Sequence, residues 1–245
     1  RQSAIDRVYG QAENWQERRK KGKLFTILTG CILEKDRQKL NKKFDLILPV
    51  GDIGQLPEEL AGLRVIKISD YFHIKPNYRS GFQAQVPIMT GCDNFCSYCV
   101  VPYVRGREKS RPAREIIAEC RDLINRGYKE ITLLGQNVNS YTNKSRNQKI
   151  NKTKNLIKNF PDLLRTIDEI LGDYWLRFVT FHPKDFSDEL LTVIANGKHL
   201  TPYFHLAVQS GDNLILKKMN RRYTVGHYLK IIAKIRKKFP SAMIH

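Results

Sequence analysis

Three cysteines within residues 89–106, "MTGCDNFCSYCVVPYVRG", are the part of the chain best suited to chemistry. Cys92, Cys96 and Cys99 follow a CxxxCxxC spacing, with an aromatic residue just before the second and the third. Several chemistries start from such a set. A structural zinc site takes four ligands, usually as paired CxxC knuckles, and the sequence holds no second pair. A ferredoxin-type cluster takes four thiolates. A thioredoxin-like site takes one CxxC, which Cys96-Ser97-Tyr98-Cys99 matches formally while leaving Cys92 without a task. Three thiolates suit three irons of a 4Fe–4S cluster, with the fourth iron open to chelate a substrate through amino and carboxylate groups. Asp93 and Asn94 make the loop polar, which speaks against cysteines that merely fill a core.

The elements around the loop are those of an α/β protein. In the first third, "DRVYGQAENWQERRKKG" has helical spacing, "KLFTILTG" and "FDLILPVG" read as strands, and "PEELAGLR" as a short helix. Residues 69–85, polar and punctuated by Gly and Pro, read as a linker. From residue 86 strands and helices alternate. "AQVPIMTG" feeds the cysteine loop, and "PAREIIAECRDLINRG" is a helix with Pro112 suited to its start and Gly127 to its stop. "EITLLG", "WLRFVTF", "PYFHLAVQSG" and "SAMIH" read as strands. "FPDLLRTIDEILG", "SDELLTVIANG" with a cap at Ser187, and "TVGHYLKIIAKIRKKF" read as helices. Such alternation predicts a parallel sheet with right-handed crossovers. About four βα units and the start of a fifth suit a partial (β/α) barrel. Chemistry in such barrels sits at the C-terminal ends of the strands, where the cysteine loop falls. Residues 142–159, rich in Lys and Asn, interrupt the rhythm as a solvated insertion.

Bulk properties narrow the class. The 245 residues, 41% hydrophobic, suffice for a real core. No apolar run approaches the roughly 20 residues of a membrane span. Lys+Arg is 43 against Asp+Glu 24, a formal charge of +19 that suits a polyanionic partner and equally suits compositional drift in an Asn- and Ile-rich chain. Five cysteines, at 31, 92, 96, 99 and 120, are odd in number and irregular in spacing, which argues for a reducing compartment. Cys120 shares a helical face with Ile116, Ile117, Leu123 and Ile124 and reads as core. The chain opens without Met and closes within a strand-like run, so it reads as a fragment cut at both ends.

The motifs together resemble a known family. CxxxCxxC after the first strand of a βα barrel resembles the radical S-adenosylmethionine enzymes. "GCDNFCSYCVVPYVRGREKSRP", "LLGQNVNSY", "FHPKDFSDELL" and "FHLAVQSGDNLILKKMNRRYT" are similar to the methylthiotransferases among them. "GQNVN" points to the branch that acts on N6-isopentenyladenosine in tRNA. On this resemblance residues 1–68 are the C-terminal part of an α/β methylthiotransferase domain, and 86–245 an incomplete radical S-adenosylmethionine core.

The resemblance also implies roles. Cys92, Cys96 and Cys99 match the ligands of the 4Fe–4S cluster that binds S-adenosylmethionine and cleaves it to a 5′-deoxyadenosyl radical. Tyr98 matches an aromatic position near the adenine. Gly135, Gln136 and Asn137 end the second strand, where the methionine amino group is met. Gln209 and Ser210 end the fourth, at the same mouth. Gly135 and Gly211 also read as turn formers. Cys31 matches the third ligand of a second 4Fe–4S cluster, whose other two cysteines would precede residue 1. Phe181 stands where the family commonly has Ser and Ala207 where it commonly has Pro, so Phe181 is expected to alter the pocket. His182 reads as a strand-end structural residue. No catalytic acid or base is assigned.

Arg105, Arg107, Lys109 and Arg111 alternate after the loop; on an extended segment they would share one side, suited to RNA phosphates or splayed bases, though a solvated basic loop has the same pattern. The implied partners are the tRNA anticodon stem-loop and an electron donor such as a flavodoxin or ferredoxin. The implied product is the 2-methylthio derivative of the isopentenylated adenosine, made in the cytoplasm, or in an organelle if a targeting segment has been lost. Two competing readings are a methylthiotransferase for threonylcarbamoyladenosine or a ribosomal protein, and a basic RNA-binding module with a metal loop.

Overall fold

In a computed structural model the structure describes residues 2–56, 71–74, 76–78, 80–143 and 157–245. The expected helix at "PEELAGLR", part of the linker and most of the 142–159 insertion lie outside the described residues. The chain divides into two compact units, Arg1–Lys75 with Tyr103–Gly106, and Pro76–Pro102 with Arg107–His245.

The first unit is a small α/β layer. Helix α1 (Gln2–Lys20) precedes strand β1 (Ile27–Gly30), helix α2 (Glu34–Leu40) and strand β2 (Leu46–Pro49). β1 and β2 pair in parallel, Ile27 opposite Leu46 through Gly30 opposite Pro49. Ala12, Leu40, Phe44 and Ile47 form its core. A polar knot ties it together: Asp45 accepts from Arg19 at 2.9 and 3.0 Å, and from the Thr26 hydroxyl and amide at 2.7 Å. The Arg19 guanidinium holds the Asp45 carboxyl well below the usual carboxylate range. α2 is an addition to the sequence-based elements. It buries only Leu40 and so lacks an apolar stripe; Glu34 and Asp36 in its first turn and Arg37 and Lys39 in its last complement the helix dipole instead.

The second unit carries the alternation. In chain order its strands are β3 (Gln83–Pro87), β4 (Met89–Thr90), β5 (Lys109–Ser110), β6 (Glu130–Leu134), β7 (Trp175–Phe178), β8 (Tyr203–Phe204) and β9 (Met243–Ile244). β3, β6 and β7 form a parallel sheet in that order. A parallel bridge from Leu176 to Leu200 continues the arc, and β8 pairs in parallel with β9. The arc is open rather than a closed barrel. The expected first strand is broken at Ile88, because β4 turns to pair antiparallel with β5. The expected fourth strand shortens to β8; beyond Leu206, which still bonds to His245, the backbone bends to a left-handed Gln209.

Helices α3 (Ala113–Asn125), α4 (Phe160–Asp168), α5 (Asp188–Asn196), α6 (Asn213–Lys218) and α7 (Val225–Lys238) accompany these strands. α3 buries Ala113, Ile116, Ile117, Cys120, Leu123 and Ile124, as its 3–4 spacing demands. Burial pushes the Cys120 thiol up to about 12, consistent with a packing role. α3 ends where Gly127, at φ +87°, lets its own amide reach Ile124 O and that of Tyr128 reach Leu123 O. Asn159, Ser187, Asp212 and Thr224 cap the next four helices through side-chain oxygens. Thr142 bridges Asn159, and Asn143 bonds to Lys158 O and Ile157 O, so the insertion leaves and rejoins the fold at one place.

Candidate metal centre

The cysteine loop leaves the sheet after β4 and returns at β5. Cys92 and Cys96 are each 8% exposed, Cys99 is half-buried, and all are free thiols. The Cys99 amide donates to Cys96 O at 2.9 Å, closing the CxxC turn. Phe95, at φ +49°, supplies a left-handed residue that folds the preceding CxxxC back on itself. Asn94, buried, places Nδ2 3.5 Å from Cys92 Sγ. Asp93 accepts from Arg107 at 2.6 and 3.1 Å and from the Glu108 amide at 3.0 Å, stapling the outgoing to the incoming limb.

The segment between α6 and α7 clamps this loop. Met219 O accepts from the Ser97 amide at 3.2 Å, and Asn220 Nδ2 donates to Asn94 O and Phe95 O at 3.2 and 2.9 Å. Arg221, only 6% exposed, directs Nη1 to Cys96 Sγ at 3.3 Å and to Tyr98 Oη at 3.4 Å, with Nε 3.4 Å from Tyr223 Oη. Among the described residues no carboxylate pairs with it. A buried guanidinium without a counter-anion is costly, and Cys96 Sγ is the sulfur set beside this one. Asn220 and Arg222 flank it in the left-handed region, a strained backbone held by the contacts on either side.

The ends of β6 and β7 form a second cluster. Gly135 is not a turn former: its φ is not positive, and a Cβ there would lie 2.4 Å from Met89 Cγ. Gly211 meets no steric demand and has no positive φ. Asn137, buried, donates to Asp185 Oδ2 at 2.8 Å. Its Oδ1 and the Oε1 of Gln136 are buried without a partner. Thr180, left-handed at φ +71°, donates from Oγ1 to Gly135 O at 2.6 Å and accepts at its carbonyl from Val138 N at 3.2 Å. Asn139 grips the His182 backbone from both sides. Burial pushes the His182 imidazole down to about 3, with the Arg221 charge adding to the effect. It is therefore neutral near pH 7, and Nδ1, which accepts from the Lys184 amide at 3.2 Å, leaves the proton on a buried, unpartnered Nε2.

Several sequence-based expectations land differently. Phe181 is 6% exposed and packs edge-on to Phe178 and Phe186 and against Phe204, so it belongs to the aromatic core instead of shaping a pocket. Arg111 does not join a basic row: its side chain is buried against Glu119 and Glu115. Only Lys109–Ser110 of this stretch is extended, and Arg105 belongs to the first unit, with Nε 3.3 Å from the Sγ of exposed Cys31. Arg107 and Lys109 stay exposed. Gln209 is exposed; with Ser210 it connects to the loop at one remove, through Val208, whose carbonyl accepts from Tyr223 Oη at 2.5 Å. Sequence reading missed Asn139, Asn220, Arg221 and Tyr223. "MNRRYT" lies inside a family-like stretch, but nothing in its spacing marks Arg221 as buried.

An open parallel α/β arc with a cysteine trio on the loop after its first strand defines the class: a barrel-type α/β protein with a cysteine loop at its strand ends. The chain belongs to the Radical SAM superfamily, which matches residues 86–245. It is 42% identical over 260 residues to tRNA-2-methylthio-N(6)-dimethylallyladenosine synthase of Clostridium novyi, covering 100% of this chain and 56% of that protein. It is 38% identical over 264 residues to the protein of that name from Treponema denticola, covering 97% and 57%. The chain thus spans little more than half the length of these relatives. Among solved structures, the cobalamin-dependent S-adenosylmethionine radical enzyme OxsB superposes with a TM-score of 0.59 at 14% identity, covering 98% of this chain and 38% of that one, a likeness of fold.

The residues fit the superfamily's cluster and cofactor. Among the described residues no three His, Cys, Asp or Glu side chains are gathered as for a single ion. A cubane asks for something else, since its three thiolates hold different irons and stand farther apart. The uncompensated Arg221 and the unpartnered acceptors of Gln136 and Asn137 are groups awaiting an anion and a donor.

Proposed function

We propose that this chain carries the core of a tRNA methylthiotransferase, which replaces C2–H of N6-isopentenyladenosine beside the anticodon with a methylthio group. The carrying observation is the cysteine trio with two thiols buried, one of them 3.3 Å from a buried arginine that pairs with no carboxylate among the described residues. Cys92, Cys96 and Cys99 hold a 4Fe–4S cluster, and the bound cluster with S-adenosylmethionine supplies radical chemistry. Tyr98 borders the cofactor at the loop. Gln136 Oε1 and Asn137 Oδ1 accept from its amino group, with Gly135 and Met89 in close contact behind them. Gln209 and Ser210 border the same mouth from the loop beyond the fourth strand. Arg107 and Lys109 meet RNA phosphate on the second unit, and Arg105 does so on its own unit; Arg111 holds the scaffold. Cys31 serves a second 4Fe–4S cluster with two cysteines outside this sequence. The partners are the anticodon stem-loop and a flavodoxin- or ferredoxin-like donor, in the cytoplasm. Among the described residues no helix is long and apolar enough to cross a membrane.

Oxygen-free reconstitution with iron and sulfide tests the reading. Wild-type chain is expected to turn brown, with broad visible absorbance, and to cleave S-adenosylmethionine under reduction; Cys96→Ala is expected to do neither. A wild-type sample that stays colourless sinks the proposal. For the substrate, tRNA from a deletion strain is expected to lose the methylthio group on isopentenyladenosine by mass spectrometry. Its persistence would point to threonylcarbamoyladenosine or a ribosomal protein.

A further inference from the structure

Arg221 lies within the family-like stretch "FHLAVQSGDNLILKKMNRRYT" but has no role assigned to it above, and no other buried cation is placed so closely on a cysteine of the trio among the described residues. It reaches Cys96 Sγ at 3.3 Å and Tyr98 Oη at 3.4 Å from one nitrogen, Nη1. Its position is over-determined. Nε faces Tyr223 Oη at 3.4 Å, the guanidinium carbon stands 5.3 Å from the Tyr223 ring centroid, and that hydroxyl donates to Val208 O at 2.5 Å. Asn220, the preceding residue, is bonded to the carbonyls of Asn94 and Phe95. Hydrogen bonds therefore tie the arginine and the loop together on both sides.

We infer that Arg221 is a positioning residue for the Cys96 corner of the bound cluster: it orients Sγ through an N–H···S bond and sets the cluster's reduction potential through its buried charge. The inference rests on the 4Fe–4S reading proposed above. Three thiolates and a cubane carry net negative charge, and one-electron reduction adds more. A fixed cation in a poorly hydrated place stabilises the reduced form and raises the potential. A hydrogen bond to the ligand sulfur acts in the same direction. An arginine does both at once, since Nη1 serves Cys96 and Tyr98 while Nε stays free for Tyr223. A purely structural arginine would hold the fold and leave the potential where it is.

The test is an EPR-monitored redox titration of the reconstituted chain, wild type against Arg221→Gln and Arg221→Lys, with iron content and far-UV circular dichroism measured on each. At wild-type iron content, Arg221→Gln is expected to shift the midpoint to more negative potential, and Arg221→Lys to shift it part of the way. A wild-type midpoint in iron-loaded Arg221→Gln overturns the inference. If Arg221→Gln does not fold, iron-loaded Arg221→Lys decides: a lowered midpoint supports the assignment and an unchanged one overturns it. Wild-type chain that takes up no iron is a different result, a failure of the cluster reading itself.

Discussion

Asn139 holds His182 by both of its backbone groups: Nδ2 donates to His182 O at 3.0 Å, and Oδ1 accepts from His182 N at 3.1 Å. A side-chain amide here imitates a strand neighbour where the sheet has ended. It joins the loop after β6 to the loop after β7, and both loops border the candidate site.

Asn139→Ala therefore removes two hydrogen bonds and leaves the backbone amide of a buried histidine unpaired, while its carbonyl keeps the Asp185 amide at 3.0 Å. The expected cost is about 1–3 kcal/mol in urea denaturation. Asn139→Asp, which keeps the acceptor and loses the donor, is expected to fall between. A midpoint unchanged in both variants would mean that water replaces the amide without loss.

His182 makes the stability of the second unit depend on pH. Its imidazole ionises near 3 in the folded chain, against 6.5 ordinarily, so the unfolded chain takes up the proton first as pH falls. The stability this group confers is fully present above its unfolded pKa and declines as pH drops toward the folded one. His182→Gln is expected to flatten the change in urea midpoint between about pH 7 and about pH 5. Asp45, also held low, titrates below that window, since its ordinary value is 3.8. Parallel slopes for wild type and variant would contradict this account.

Gly135 and Met89 are coupled by contact. A Cβ on residue 135 would lie 2.4 Å from Met89 Cγ and 3.0 Å from its Sδ. Gly135→Ala is expected to cost about 1–3 kcal/mol through overpacking. Met89→Ala costs energy by itself, yet in the double variant the clash is gone, so the two changes should sum to less than their separate costs. Additive costs would place the strain elsewhere.

The basic stretch after the loop separates into surface and scaffold. Arg107→Ala loses an exposed pair with Asp93, so its cost in stability should be small. Combined with Lys109→Ala, it is expected to weaken binding of an anticodon stem-loop RNA and to make that binding less dependent on salt. Arg111→Ala instead leaves Glu119 with the Tyr78 hydroxyl and no counter-charge, in a setting where both side chains are at most 15% exposed, and should destabilise by about 3 kcal/mol. Equal stability losses for Arg107 and Arg111 would undo the distinction.

Much of the fold was legible because its signals are local. The apolar spacing of α3 and its Gly127 stop, the Ser187 cap and the strand at "EITLLG" are properties of a few adjacent residues, and all are present in the structure. Where the sequence misled, a distant partner had intervened. The long fourth strand is cut to Tyr203–Phe204 as the backbone turns toward a left-handed Gln209 and the Val208 carbonyl is taken up by the distant Tyr223 hydroxyl, and α2 forms without the periodicity that reveals other helices. Phe181 looks like a pocket residue in one dimension and is a core residue in three, because Phe178, Phe186 and Phe204 arrive from other segments.

The site divides along the same line. The residue types and spacing of Cys92, Cys96 and Cys99 state a three-thiolate chemistry without any structure, since covalent chain length alone keeps them within one loop. Which charge faces those sulfurs is a different kind of fact. Arg221 is 125 residues from Cys96, and it reaches that sulfur only because the sheet folds the end of α6 back onto the first loop. Buried electrostatics depend on distance in space and on the exclusion of water, and neither is written in the order of residues along a chain.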